Sequence, residues 1–142
     1  MKKLTVLSVL FAALLYSSAW FYQEKNFMVA MQEPDTIKAG EIMRKTMLLP
    51  WHNPFGVYCL AAFDFHNKRY LDCIIGLTKL KITYPAFLQS DFLIGESWLY
   101  LQNEPRAIAY YLRQGVKAPL FDPSFIRIRE IYPVMGEKLL ND

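Results

Sequence analysis

Apolar positions along this chain fall into two patterns. From Leu4 to Gln23 the run LTVLSVLFAALLYSSAWFYQ carries no charge, whereas beyond Pro34 the apolar residues recur at helical spacing in short stretches closed by prolines and polar clusters. The second pattern predicts helices throughout. Glu24 to Met31 extends the first helix, Pro34 interrupts it, and Asp35 or Thr36 caps a helix reaching about Leu48. LLPWHNP, from Leu48 to Pro54, is a boundary. Two helical pairs follow: Phe55 to about Asn67 with Tyr70 to about Thr83, and Leu88 to Leu101 with Pro105 to Val116, Pro105 being tolerated in an opening turn. Asp122 and Ser124 are alternative caps for a last helix, FIRIREIY, which Pro133 ends, and KLLND frays.

These segments repeat at an offset of 34. Pro85, Phe87 and Ser90 return as Pro119, Phe121 and Ser124; Leu60, Ala61, Ile74 and Leu77 return as Ile94, Gly95, Ile108 and Tyr111. Ile94, Glu96 and Trp98 return as Ile128, Glu130 and Tyr132, and Cys73 matches Ala107 ahead and Ala39 behind. A period of this length marks stacked helical hairpins. A small residue on each helix lets the backbones approach, so Ala61 is expected against Cys73 and Gly95 against Ala107. Glu96 falls on the more exposed neighbouring face, where its removal is expected to cost less than about 0.5 kcal/mol.

The residues at this register resemble a tetratricopeptide repeat. Val57, Leu60, Ala61, Tyr70, Cys73, Leu77 and Pro85 match or approximate the family pattern, as do Ile94, Gly95, Trp98, Ala107, Tyr111 and Pro119. Asp64, Asp91 and Glu104 depart from it, and Leu80 and Gln114 replace the second small residue. The resemblance covers roughly Pro34 to Pro133 and implies an all-α, TPR-like helix-hairpin superhelix.

The N-terminal run changes the picture most. Its length is about what spans a bilayer. As a retained anchor it divides the chain into residues 1–23 and a repeat domain of residues 24–142, with Trp20, Phe21 and Tyr22 at the interface; as a secretory signal it is cleaved near Ser17, Ser18 and Ala19. The anchor is the preferred reading. Lys2 and Lys3 then stay cytoplasmic, giving a single-pass membrane protein that faces the periplasm if bacterial. Mean hydropathy is +0.11 and the formal charge is +3, two units of it from Lys2 and Lys3, so the chain lacks the clustered basic field a nucleic acid requires.

Chemistry is sparse. His52 and His66 belong to no metal motif, and no phosphate loop or dinucleotide fingerprint occurs, so neither a cofactor nor a metal is expected and no residue is assigned a catalytic role. An enzymatic alternative would need a pocket joining His66 to Asp64 and Glu96. Cys59 and Cys73 are read as free packed thiols, with a disulfide as the alternative.

Aromatic residues remain. Under the repeat resemblance, Phe55, Tyr58, Phe65 and His66 of one unit and Phe92, Glu96 and Tyr100 of the next lie on the first-helix face that lines the inner side of such an array. Rigid aromatic area with polar handles suits a peptide or partner helix, while internal packing is the competing use. The expected function is a membrane-anchored scaffold or adaptor that binds other membrane or envelope proteins, with the bilayer engaged through residues 4–23. The alternative is a non-catalytic structural subunit of a stable membrane complex.

Overall fold

The computed structural model describes residues 2–47, 53–85, 87, 90–118, 122–131 and 133, with side chains from Ser8 onward and that of Asp122 excepted. The expected boundary at residues 48–52, which includes His52, lies outside the described residues, as do Pro119, Phe121, Tyr132 and the KLLND tail. Seven helices make up the described chain: α1 (Lys2–Gln32), α2 (Thr36–Thr46), α3 (Pro54–His66), α4 (Tyr70–Thr83), α5 (Ser90–Tyr100), α6 (Glu104–Lys117) and α7 (Asp122–Ile131). They divide into two compact units, residues 1–56 and 57–142.

Helix starts carry the 34-residue offset. Asp35, Arg69 and Asn103 are the N-caps of α2, α4 and α6; the Asp35 carboxylate accepts from the backbone N–H of Ile37 and Lys38, and Asn103 accepts from that of Arg106. Ends of the first helices repeat too. Lys68 and Gln102 take positive φ, 60° and 58°, and around them the N–H groups of residues 67, 68 and 69 bond to carbonyls 63, 65 and 64 just as those of 101, 102 and 103 bond to 97, 99 and 98. This closing turn consumes carbonyls that the helix end would leave unpaired. Tyr84 and Ala118 cap α4 and α6 with nearly identical dihedrals, φ near −131° and −137°.

Burial follows the same register. Ala39, Cys73 and Ala107 are fully buried, as are Met43, Leu77 and Tyr111 one turn later; Thr46, Leu80 and Gln114 follow at 1–3% exposure. In the second unit Ala61, Cys73, Ile74, Leu77, Leu80 and Ile94 form one core cluster, and Ala107, Tyr111 and Ile128 another. Ile128 repeats Ile94, which makes α7 the first helix of a further hairpin in sequence register. Its start departs from expectation: the helix opens at Asp122, and Ser124 sits inside it, fully buried.

In the first unit α1 packs on α2 across a short connection containing Pro34, burying Ala30 against the hairpin, so the first hairpin is complete, with α1 as its first helix. Phe27 meets Phe55 edge-on at 5.9 Å. The membrane-spanning helix expected over residues 4–23 is overturned: among the described residues, no helix is long and apolar enough to cross a membrane. Although α1 has 31 residues, Tyr16, Ser17, Ser18, Trp20 and Tyr22 interrupt the apolar character of its uncharged run in the second half. The bilayer contact, the single-pass topology with a cytoplasmic N-terminus, and the periplasmic placement rested on that span and fall with it. Ser17 and Ser18 donate back to the carbonyls of Leu14 and Leu15 at 3.1 and 3.0 Å, satisfying both hydroxyls within the helix.

Candidate functional site

Three aromatic rings converge where helices of the second unit turn. Phe65 ends α3, Tyr70 opens α4 and Tyr100 ends α5, because the closing turns at Lys68 and Gln102 bring these termini to one edge. Tyr70 and Tyr100 stack with centroids 5.1 Å apart and planes 8° from parallel, and Phe65 meets both edge-on at 5.5 Å. Offset stacks and edge contacts suit the ring quadrupoles, so the three rings hold one another rigid. Tyr100 is nevertheless 56% exposed. Beside the rings, Lys68, Arg69, Tyr70, Leu71, Asp72 and Leu101 line a pocket of about 210 Å³.

Of the seven residues expected to form a contact face, the structure brings Phe65, His66 and Tyr100 together. His66 is exposed, its ring 6.0 Å from that of Phe65. Tyr58 instead packs on Phe87 at 5.5 Å, and burial, then the neighbouring Cys59 and Cys73, raises its phenol pKa. Phe92 leans on Tyr111 at 5.8 Å, and Phe55, 52% exposed, belongs to the first unit. Tyr70, Leu71 and Leu101 were missed by the sequence reading. Their signal was the turn itself: Tyr70 and Leu101 flank the two repeat turns, where side chains project from helix ends.

Glu96 does not lie on an exposed face; it is 6% exposed. The Arg127 guanidinium on α7 donates to both its oxygens, Nε to Oε1 at 2.8 Å and Nη2 to Oε2 at 3.0 Å, while the Tyr111 hydroxyl donates to Oε1 at 2.8 Å. Arg127 also reaches Glu130 at 2.7 Å. Burial, reinforced by its hydrogen bond to Glu96, pushes the Tyr111 phenol pKa upward, and the bonds to Glu130 and Glu96 raise that of Arg127. The forked geometry ties α5, α6 and α7 together. Asp91 serves α4, α5 and α6 in the same way. Fully buried, it pairs with Lys81 and, at 2.9 Å, with Lys117. Both carboxylates are therefore consumed inside the fold.

The carboxylates that the enzymatic alternative needs are engaged elsewhere among the described residues. Asp64 is buried and meets Arg69 at 3.7 Å, Glu96 is held by Arg127 and Tyr111, and neither Glu96 nor His66 lines the 210 Å³ pocket. Among the described residues no group of three or more His, Cys, Asp and Glu is placed to hold a metal. Cys59 and Cys73 are free thiols, and burial raises Cys73 to about 11, partly offset by its hydrogen bond with Ser97. A thiol so protonated is a poor nucleophile near neutrality.

Among solved structures, the crystal structure of MamA is similar, with a TM-score of 0.72 at 17% identity over 80% of this chain and 68% of that one. At that identity the likeness shows the fold alone, an all-α helical-repeat architecture of the TPR-like kind. No protein-family model and no curated protein matches the sequence.

Proposed function

We propose that this protein is a non-catalytic structural subunit, a helical-repeat scaffold that holds partner proteins in a stable complex. The Phe65–Tyr70–Tyr100 cluster carries the reading: a rigid aromatic surface beside a pocket, on a fold whose central carboxylates already have partners. Ordered rings lose little conformational freedom when covered, which favours binding. Leu71 and Leu101 extend the same edge at 58% and 37% exposure. Peptide segments with an apolar side chain small enough for the pocket are the expected contacts.

Gentle affinity purification of the full chain, followed by native gels with labelled free protein added, tests this assignment. Stoichiometric partners and no exchange of the labelled copy are expected, with partners lost from a Tyr100→Ala, Leu101→Ser variant of unchanged helical content. Free exchange would reassign the protein as an adaptor. Recovery only as a partner-free monomer would overturn the scaffold reading altogether.

A further inference from the structure

The outer face of α4 is apolar and unpartnered within its unit. Leu71, Ile75 and Ile82 are 58%, 53% and 77% exposed, and with the exposed Thr78 they share an arc of roughly 60° at 100° per residue. Opposite them, Cys73, Leu77 and Leu80 face the core. A solvent-facing helix side ordinarily carries charge there, so a three-turn aliphatic stripe marks a contact surface.

The neighbouring wall is cationic. Lys81 of α4 lies 5.3 Å from the Tyr110 ring of α6, Tyr110 packs against the core cluster that holds Ile74, Leu77 and Leu80 of α4, and the Arg113 guanidinium stacks on that ring at 4.9 Å. Arg106, also on α6, covers the Trp98 ring at 4.4 Å. Lys79, Arg106 and Arg113 are all exposed. The acids nearby are mostly used: Asp72 by Arg69 at 2.6 Å and Asp91 by Lys81 and Lys117, leaving Glu104 at the opening turn of α6.

We infer that this face docks an acidic amphipathic helix of a partner protein. The partner's aliphatic stripe covers Leu71, Ile75 and Ile82, and its flanking carboxylates meet Arg106, Arg113 and Lys79. The stripe spans about three turns, so the docked segment needs three to four. Charge selects the partner and the aliphatic contact holds it, since exposed ion pairs add little affinity on their own. This surface shares Leu71 with the edge beside the aromatic cluster, but Ile75, Ile82 and Arg113 lie outside that edge, so the inference stands whether or not the cluster binds.

Two synthetic helical peptides sharing one leucine stripe, flanked by Glu in one and by Lys in the other, test the inference by fluorescence anisotropy against the full-length chain. The Glu-flanked peptide is expected to bind at least about tenfold tighter, with the gap narrowing as salt rises. Ile82→Asp, at the last turn of α4, removes binding with helical content unchanged, and Arg113→Glu reverses the peptide preference. Equal affinity for the two peptides, preference for the Lys-flanked one, or binding by neither overturns the proposal. So does a homodimer in sedimentation velocity that Ile82→Asp dissolves, because the face then belongs to a second copy.

Discussion

A methyl group added at Gly95 would sit 2.6 Å from Cε1 of Tyr111 and 2.8 Å from its Cδ1. The ring cannot swing aside, because it is fully buried and its hydroxyl is tied to Glu96 at 2.8 Å. The small residue on α5 therefore admits Tyr111 rather than facing only Ala107.

Two glycine substitutions should accordingly move stability in opposite directions. Gly95→Ala forces the ring or a helix to shift and is expected to cost about 1–3 kcal/mol. At Gly76 an added methyl meets only Ala61, at 3.8 Å, and no glycine has positive φ among the described residues. Gly76→Ala is expected to stabilise by about 0.5–1 kcal/mol through helix propensity. Thermal and denaturant unfolding monitored by circular dichroism measure both.

Removing the Glu96 carboxylate strands a buried hydroxyl and half of the Arg127 fork. Arg127 is partly exposed and keeps Glu130, which limits the loss. Glu96→Ala is expected to cost about 2–3 kcal/mol, well above the small effect its sequence position suggests. A double-mutant cycle with Arg127→Leu should give coupling of about 1 kcal/mol or more; additive effects would mean that the pair is not formed.

Cys73 predicts an alkaline loss of stability. Its folded-state value is about 11 against an ordinary 9.0, raised by burial. Because the folded value is the higher one, the stabilisation is whole below about pH 9 and disappears as pH rises through 11, on the order of 3 kcal/mol in all. Tyr111 is also raised and adds to the loss at still higher pH. Cys73→Ala places at 73 the residue found at 39 and 107, so it should fold normally and lack the Cys73 portion of the decline. The difference between the two pH–stability curves isolates it.

The repeat was legible because its markers are local. Small residues at 39, 73 and 107 and the capping side chains Asp35 and Asn103 act within one turn, and helices α2 to α6 begin and end within about two residues of their expected limits. Glu96 was not legible: its partner Arg127 is 31 residues away, and an acid in an apolar helix reads as surface until that partner is placed. Asp91 escaped for the same reason. The N-terminal run misled because lack of charge was taken for a span, although hydroxyl and aromatic residues interrupt its second half. For the proposed contact site, the sequence named Phe65, His66 and Tyr100 from the repeat register, and the turns at Lys68 and Gln102 gather these residues at a hairpin edge.

Cysteine accessibility tests the shared register most directly. In a Cys59→Ser background, single cysteines at 39, at 73 and at 107 are compared with single cysteines at 37, 71 and 105, all but the one at 73 made in Cys73→Ala. Ile37 and Leu71 are 61% and 58% exposed and Pro105 is exposed, whereas the inner three positions are fully buried. With an alkylating reagent at pH 8, positions 37, 71 and 105 should all react at least about a hundredfold faster than 39, 73 and 107. An inner position reacting as fast as its outer neighbour would break the 34-residue register and contradict the repeat fold on which the scaffold reading stands.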